Sequence, residues 1–583
     1  MMTPSPRLRP KTILLSCLSI GTANISLFTT VQAATNTADA ITVMEKQIHA
    51  LQNQLNQLKT KQEAENKRVR AQLAQQRELI EANPYASRDA LLHRSSESAF
   101  LSPVRNGPYQ SNFALGGSFF LSPSQTAHTP NGIVTATPPA HPDLYGPLRR
   151  GQIQIGGVRV TLGGFLEAAT IWRSRQTGAD IASGFNAIPW KNQPAHHMSE
   201  FRQSERQSRL AVLVEGMITK KLEADAYVET DFQGAGSASN SRQSNSYVPR
   251  ARVVYGELKD HDDGLYFLGG QNWSLITLFN KGMFARDEQM PLVIEAQYVP
   301  GFNWTRNPQL RVVKVFGQEE RYALGLSIEN PSAVPAGRAF GHVTDSVGGT
   351  NVNNPNTFYT TDPAPDLIAK LAADPGWGHY ELTGIMRFFR SRSSKEGDGQ
   401  NHTVIAGGGG GGMVLPLIDK RLYAQLSGLV GQGLGRYGTS NMPDYTYGPN
   451  GGPVALPEAN ILVGLYGTPY NDLTLYAYAG AEKILRRKAF DQNGQHFGYG
   501  NRGYDMSGCS TELSTACAGA ANVQTVAQAT TGFWYTAAKG DYGTLRVGAQ
   551  YAHTYIQAFS GFGGRPHTDA DMLFMSLRYM PFN

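Results

Sequence analysis

Four carboxylates in one short run set the first chemical question. In KLEADAYVETDFQG, residues 221–234, Glu223, Asp225, Glu229 and Asp231 share one parity with Tyr227, while Leu222, Ala224, Ala226, Val228, Thr230 and Phe232 fill the other. On a strand, successive side chains point to opposite faces, so this run has one acidic and one apolar face. Charged groups in that pattern act by their field: a ring of one sign selects the opposite ion, and opposed basic and acidic arcs set up a transverse field. Basic partners stand nearby. Alternation puts Arg209 and Glu215 on the same face of the preceding strand-like run, and Arg250 and Arg252 on that face of the next. Arg421 and Arg546 take the polar side of two later runs.

The elements that must position these residues follow one rhythm. From residue 158 to 581, sixteen strand-like runs are readable, and their connections alternate between long and short. The short ones carry turn chemistry, as in KDHDD before Gly264, ADPGW at 373–377 and GTPYND ending at Asp472. The ninth connection, residues 391–402, is read as one of the long ones. Sending every long loop to one end has no rationale in a soluble sandwich and is the habit of membrane barrels, with short turns on the periplasmic side. Face chemistry agrees. Leu545, Val547, Ala549 and Tyr551 oppose Thr544, Arg546 and Gln550, and four acids packed into a dry core would be too costly to desolvate. The expected fold is therefore all-β, a 16-stranded antiparallel transmembrane barrel at 158–583, with its polar face lining a wet lumen.

What precedes the barrel reads differently. Residues 1–33 form a signal peptide: Arg7, Arg9 and Lys11, then a mostly apolar stretch, then small residues before a cut after Ala33. Its removal lowers the formal charge from +6 to +3, a balance that implies no nucleic-acid partner. In the 34–83 segment, Ile41, Met44, Ile48, Leu51, Leu55 and Leu58 alternate spacings of three and four, the seam of a self-associating coiled coil. Residues 84–157, rich in Pro, Gly and Ser, read as a linker. Cys509 and Cys517, eight apart in an exported chain, are expected to form a disulfide.

Several motifs resemble the DcaP-like porins among sixteen-stranded trimeric outer-membrane porins. They are VTLGGFLEAATIW as first strand, RQSRLAVLVEG, LEADAYVETDFQGAGS, PRARVVYGEL and LYFLGGQNWS, together with the coiled coil behind a signal peptide. The resemblance covers roughly 40–80 and 158–320. It implies a homotrimer in the outer membrane of a Gram-negative bacterium, in contact with lipid and lipopolysaccharide, with its coiled coil in the periplasm. It also implies a passive channel whose arginine-lined constriction favours anionic solutes such as dicarboxylates. The ending RYMPFN departs from the family, whose barrels usually finish on an aromatic residue.

In porins of this size the third long loop narrows the barrel. The matching segment is 273–307, which carries Arg286, Asp287, Glu288, Glu295 and Arg306 among apolar residues. Arg209 and Arg252 are expected to face Glu223 and Asp225 across the constriction; the alternative for each charge is a salt bridge within the wall. No cofactor is expected, and no metal, since His196-His197 lacks a spaced third ligand. The glycine run 407–412 is not followed by a helix and reads as a place of close backbone approach, not a phosphate loop. Two other functions remain open: a structural tether gripping another envelope layer, and a barrel-type enzyme. The enzyme would need a Ser/His pair near the rim, for which His553 and Ser560 are available without any nucleophile motif.

Overall fold

The computed structural model describes residues 147–234, 247–317, 320–350, 357–418, 421–517 and 522–583, together with Lys46, Gln52, Asn53, Thr60 and Lys67, which are helical. The signal segment, the seam residues Ile41 to Leu58 and residues 84–146 lie outside the described residues.

Sixteen antiparallel strands form the wall. They are β1 (Val158–Arg173), β2 (Arg209–Met217), β3 (Leu222–Gly234), β4 (Val248–Asp260), β5 (Leu265–Trp273), β6 (Arg306–Phe316), β7 (Tyr322–Glu329) and β8 (Asp366–Ala373). The ring continues with β9 (His379–Lys395), β10 (Asp398–Ile418), β11 (Leu422–Gln432), β12 (Pro457–Tyr470), β13 (Leu473–Ile484), β14 (Val523–Gly540), β15 (Gly543–Ala558) and β16 (His567–Met580). Each pairs with its neighbour in sequence, and β1 closes the ring by pairing with β16 from Leu166↔Tyr579 to Arg173↔Met572. Closure pairs the first strand with the last, which removes the open sheet edges that a membrane would leave unsatisfied.

The two faces are inverted relative to a soluble protein. Leu210, Val212, Val228, Leu310, Val312, Leu326 and Ile328 are exposed on the outside, whereas Arg209, Glu215, Glu223, Glu229 and Arg252 are buried within. Phe316, Tyr322, Trp377, Tyr470, Tyr535 and Tyr542 stand exposed near the short turns, an aromatic girdle of the kind that sits at a membrane interface.

Three local features differ from the sequence reading. The ninth connection is not a long loop: β9 and β10 pair up to Lys395↔Asp398, leaving only Glu396 and Gly397 between them. Gly397, at φ +74°, supplies the left-handed residue that such a tight turn needs. The 84–157 segment does not remain a linker to its end, because Gln152–Ile155 pairs with Val158–Thr161 on the edge of β1 that β16 leaves uncovered. Arg150 then reaches the last residue, donating to the carbonyls of Gly540 at 2.6 Å and Asn583 at 3.1 Å. The first long loop ends in a strand of its own, Glu200–Ser204, which continues the pairing of β2 along the outer half of β1. Pro581 follows the last strand and so removes no ladder hydrogen bond.

Candidate constriction

The connection between β5 and β6, residues 274–305, folds inside the barrel and is nearly all buried. Its composition explains the choice. Leu275, Leu278, Phe279, Met283, Ile294, Val299 and Phe302 are 2% exposed or less and need an apolar surface. Inward Tyr255, Tyr423, Tyr466, Tyr476, Tyr478 and Trp534 provide one that still carries polar tips. The backbone of the loop is satisfied by wall side chains. Leu275 N–H donates to Glu329 on β7 (2.9 Å), Phe279 N–H to Glu381 on β9 (2.8 Å) and Gly301 N–H to Glu482 on β13 (2.8 Å). Farther round, Gln550 on β15 accepts from Ile294 N–H (2.5 Å), and Trp534 on β14 donates to the Leu292 carbonyl (2.8 Å). The loop therefore crosses the lumen. Where it passes the glycine run, Leu278 lies so near Gly412 that a Cβ there would come within 2.5 Å of it.

The acids of β3 are matched by neighbours on the same wall. Asp231 accepts from Arg250 (2.8 Å) and Arg252 (2.8 Å), and Glu229 from Arg252 (2.6 Å). Lower down, Lys259 and His261 flank Glu223 at 3.2 and 2.7 Å, while Lys259 and Arg286 flank Asp225. Arg252 thus stands on the strand beside the acids, not across the lumen from Glu223 and Asp225. The wall salt bridge is the arrangement found there. Buried pairs of this kind fix geometry, because removing either partner strands a charge away from water.

Two arginines are left over. Arg209 lies 5.3 Å from the Phe165 ring, and Arg306 lies over Trp273 and Trp304 at 5.1 and 5.4 Å. Neither guanidinium has a carboxylate in ion-pair range among the described residues; Arg209 Nε and Arg306 Nη1 are buried with no hydrogen-bond partner. With Arg250 and Arg252 they form a basic arc on the outer halves of β2, β4 and β6. Across the ring, on the outer ends of β12 and β13, stand Glu458 and Glu482, 1% and 0% exposed. Arg250 and Arg306 are half-buried, so the basic side is the more open one.

Other candidates fall into place around this waist. Arg286 Nη1 donates to the Tyr255 hydroxyl, and Glu295 accepts from Ser183 N–H (2.9 Å) and Oγ–H (2.7 Å), tying the inserted loop to the first outer loop. Burial pushes the carboxyls of Asp287 and Glu288 up to about 7 and raises that of Glu295. Glu215 faces inward beside Asp225, and Arg546 lies inside over Trp534 at 5.5 Å. Arg421 does not line the lumen: it is exposed in the turn before β11, where the alternation of that strand no longer applies. His553 and Ser560 do not form a pair, since His553 is held by Asp571 (2.9 Å) and Ser560 Oγ accepts from Arg487 (3.1 Å). Arg487 also donates to the carbonyls of Gly500 and Ser560. Cys509 and Cys517 are bonded.

Sequence reasoning missed the acids that anchor the inserted loop, Glu329, Glu381 and Glu482, and it missed Arg311 and Arg387. All five lie on the inward parity of their strands, so the alternation used for β3 would have found them. Nothing in the sequence says that loop backbone would be their partner.

A closed antiparallel barrel with its apolar face outward, long loops at one end and one loop folded into its waist is a porin-type barrel of the outer-membrane class. No protein-family model and no curated protein matches the chain. Among solved structures the chain is similar in fold to the outer membrane channel DcaP of Acinetobacter baumannii, with a TM-score of 0.52 at 15% identity, over 74% of this chain and 99% of that one. An anion-selective porin from Comamonas acidovorans matches at 10% identity and TM-score 0.40, over 73% of this chain and 99% of that one. OprB of Pseudomonas putida matches at 10% identity and TM-score 0.39, over 72% and 94%.

Proposed function

We propose that the protein is an outer-membrane porin, a passive diffusion channel for small hydrophilic solutes with a preference for anions such as dicarboxylates. The observation that carries this reading is the pair Arg209 and Arg306, arginines of the basic arc with no carboxylate in ion-pair range among the described residues and with tryptophan and phenylalanine beside them; Arg306, half-buried, is the more open of the two. An arginine in that setting offers a planar fork to a carboxylate and stays charged while doing so. The acids of β3 do not cancel it, because Arg250, Arg252, Lys259 and His261 already occupy them. In this reading the chain works as a homotrimer among outer-membrane lipid and lipopolysaccharide, with residues 34–83 as its periplasmic coiled coil.

A second reading has an observation in its favour. The inserted loop is anchored on strands from β7 to β15, as a barrel serving mainly as an anchor would have it. The barrel is then a tether, gripping another envelope layer through the coiled coil. Single-channel recording in a planar bilayer under a salt gradient, with titration by small dicarboxylates, separates the two. Stepwise currents blocked by the diacids support the porin; a folded barrel that never conducts supports the tether.

A further inference from the structure

Among the described residues outside the waist, one group of side chains has metal-binding chemistry and no role in the channel. His553 on β15 lies directly across from Asp571 on β16, and Asp569 follows two residues away on the same face. That face points outward. Below it the outward residues turn apolar, with Leu573, Met575 and Leu577 all exposed. The group therefore stands just beyond the apolar band, toward the long-loop end, beside the exposed aromatics Tyr551 and Trp172. His553 Nδ1 is 2.9 Å from Asp571 Oδ1, and one ligand atom from each of the three residues lies within 4.8 Å of the other two.

We propose that His553, Asp569 and Asp571 bind a divalent cation of the zinc class on the outer rim of the barrel. One imidazole nitrogen and two carboxylates supply three ligands suited to Zn2+, which water completes, and the donors of such a site stand about 3.3 Å apart. Modest rotation of exposed side chains closes the present spread. The three side chains are 46%, 36% and 39% exposed, which leaves the remaining coordination position open to solvent. What competes is weak. Arg175 reaches Asp569 only at 3.9 Å, and the Tyr551 hydroxyl donates to Asp571 at 2.7 Å without blocking its second oxygen.

The contrast with the other carboxylate cluster is informative. Glu215, Glu223 and Asp225 converge as closely, but Lys259 and Arg286 already stand among them, so that charge is spent inside the wall. The rim site was hidden in the sequence because its ligands come from two strands joined by a loop. A histidine with a ligand four residues away on a helix is easy to see; one paired across a hairpin is not.

The test is isothermal titration of tag-free, full-length protein in detergent with zinc chloride, against His553→Gln and Asp569→Asn separately. The Asp569 carboxylate makes only the 3.9 Å contact with Arg175, whose Nε–H donates to the Asp569 carbonyl at 3.2 Å whatever the side chain, so its variant keeps the fold. Both variants are checked by the heat-modifiable mobility of the folded barrel. The expected result is one zinc ion per chain in the wild type, with affinity at least tenfold weaker in each variant. No binding by the wild type overturns the proposal. So does zinc binding of unchanged affinity in the folded Asp569→Asn protein.

Discussion

Arg252 donates to Glu229 across a single strand pair, its Nε 2.6 Å from Oε1, and the same guanidinium reaches Asp231 at 2.8 Å. Its charge is therefore spent inside the wall, while that of Arg209, one strand beyond β3, is not. The two arginines should respond oppositely to substitution. Arg252→Gln leaves Glu229 buried without its main partner and should cost on the order of 3–5 kcal/mol in barrel stability. Arg209→Gln removes an unpaired charge and an exchange with one aromatic ring, a loss of at most about 1 kcal/mol. It should move the reversal potential toward cations. Heat denaturation and bilayer recording on both variants decide the matter; a selectivity shift for Arg252→Gln equal to that of Arg209→Gln, at unchanged stability, would remove the distinction.

The docking of the inserted loop can be weakened at one point. Gly301 has φ +95°, and a Cβ there would fall 2.0 Å from the Ile461 carbonyl, so only glycine lets the loop lie against β12. Its N–H donates to Glu482, which also accepts from Ser440 N–H at 3.0 Å. Gly301→Val should displace the loop from β12 and β13 while leaving the wall intact. Single-channel conductance is expected to rise, and loop residues should become accessible to thiol labelling through an engineered cysteine. Unchanged conductance with normal labelling resistance would show that the loop is held elsewhere.

Loop docking should also depend on pH. Asp287 and Glu288 are pushed by burial to about 7, whereas free carboxyls titrate near 4. The docked loop binds these protons more tightly than the undocked one, so docking is favoured most at acid pH. That advantage is full below about 4 and is lost as pH rises through about 7, because between those values the docked state holds the extra protons. Conductance is thus expected to be lower at pH 5.5 than at pH 8.5, with stronger anion preference at pH 5.5, where two carboxylate charges are gone. The double variant Asp287→Asn, Glu288→Gln should flatten both trends; a pH profile identical to that of the wild type would assign them to other groups.

The barrel was legible because two independent periodicities agree. Alternation on β3, β11 and β15 gives the face of each residue, and the spacing of turns gives the strand count. Cross-strand partnership is less legible. Alternation places Arg252 and Glu229 inside, but only the register of β3 against β4 makes them neighbours; without it, placing Arg252 across the lumen is equally consistent with the sequence. The 391–402 stretch failed for a different reason. Arg390, Arg392 and Lys395 are too polar for a lipid-facing band, yet β9 and β10 continue past that band, where water and not lipid meets them. Loop insertion could be read from the apolar content of 274–305. Its anchors could not, since they pair side chains with backbone.

The outer loop 485–522 allows a test that leaves the waist untouched. Cys509 and Cys517 close a short loop whose tip is tied to the first outer loop: Leu513 N–H donates to the Asn192 carbonyl at 2.9 Å, and Asn192 Nδ2 donates to the Ser514 carbonyl at 3.2 Å. A disulfide closing so few residues stabilises its loop by roughly 2–3 kcal/mol on the chain-entropy model. Cys509 is 3% exposed and Cys517 is partly exposed, so a reductant approaches the bridge from the Cys517 side. Once reduced, the segment should lose its hold on Asn192 and become the first site of cleavage by an added protease, while the sixteen strands stay resistant. Limited proteolysis with and without reductant, read by mass spectrometry, is the measurement. Cleavage that begins instead in the 330–365 loop, at the same rate under both conditions, would show that the Asn192 contacts hold the tip without the disulfide.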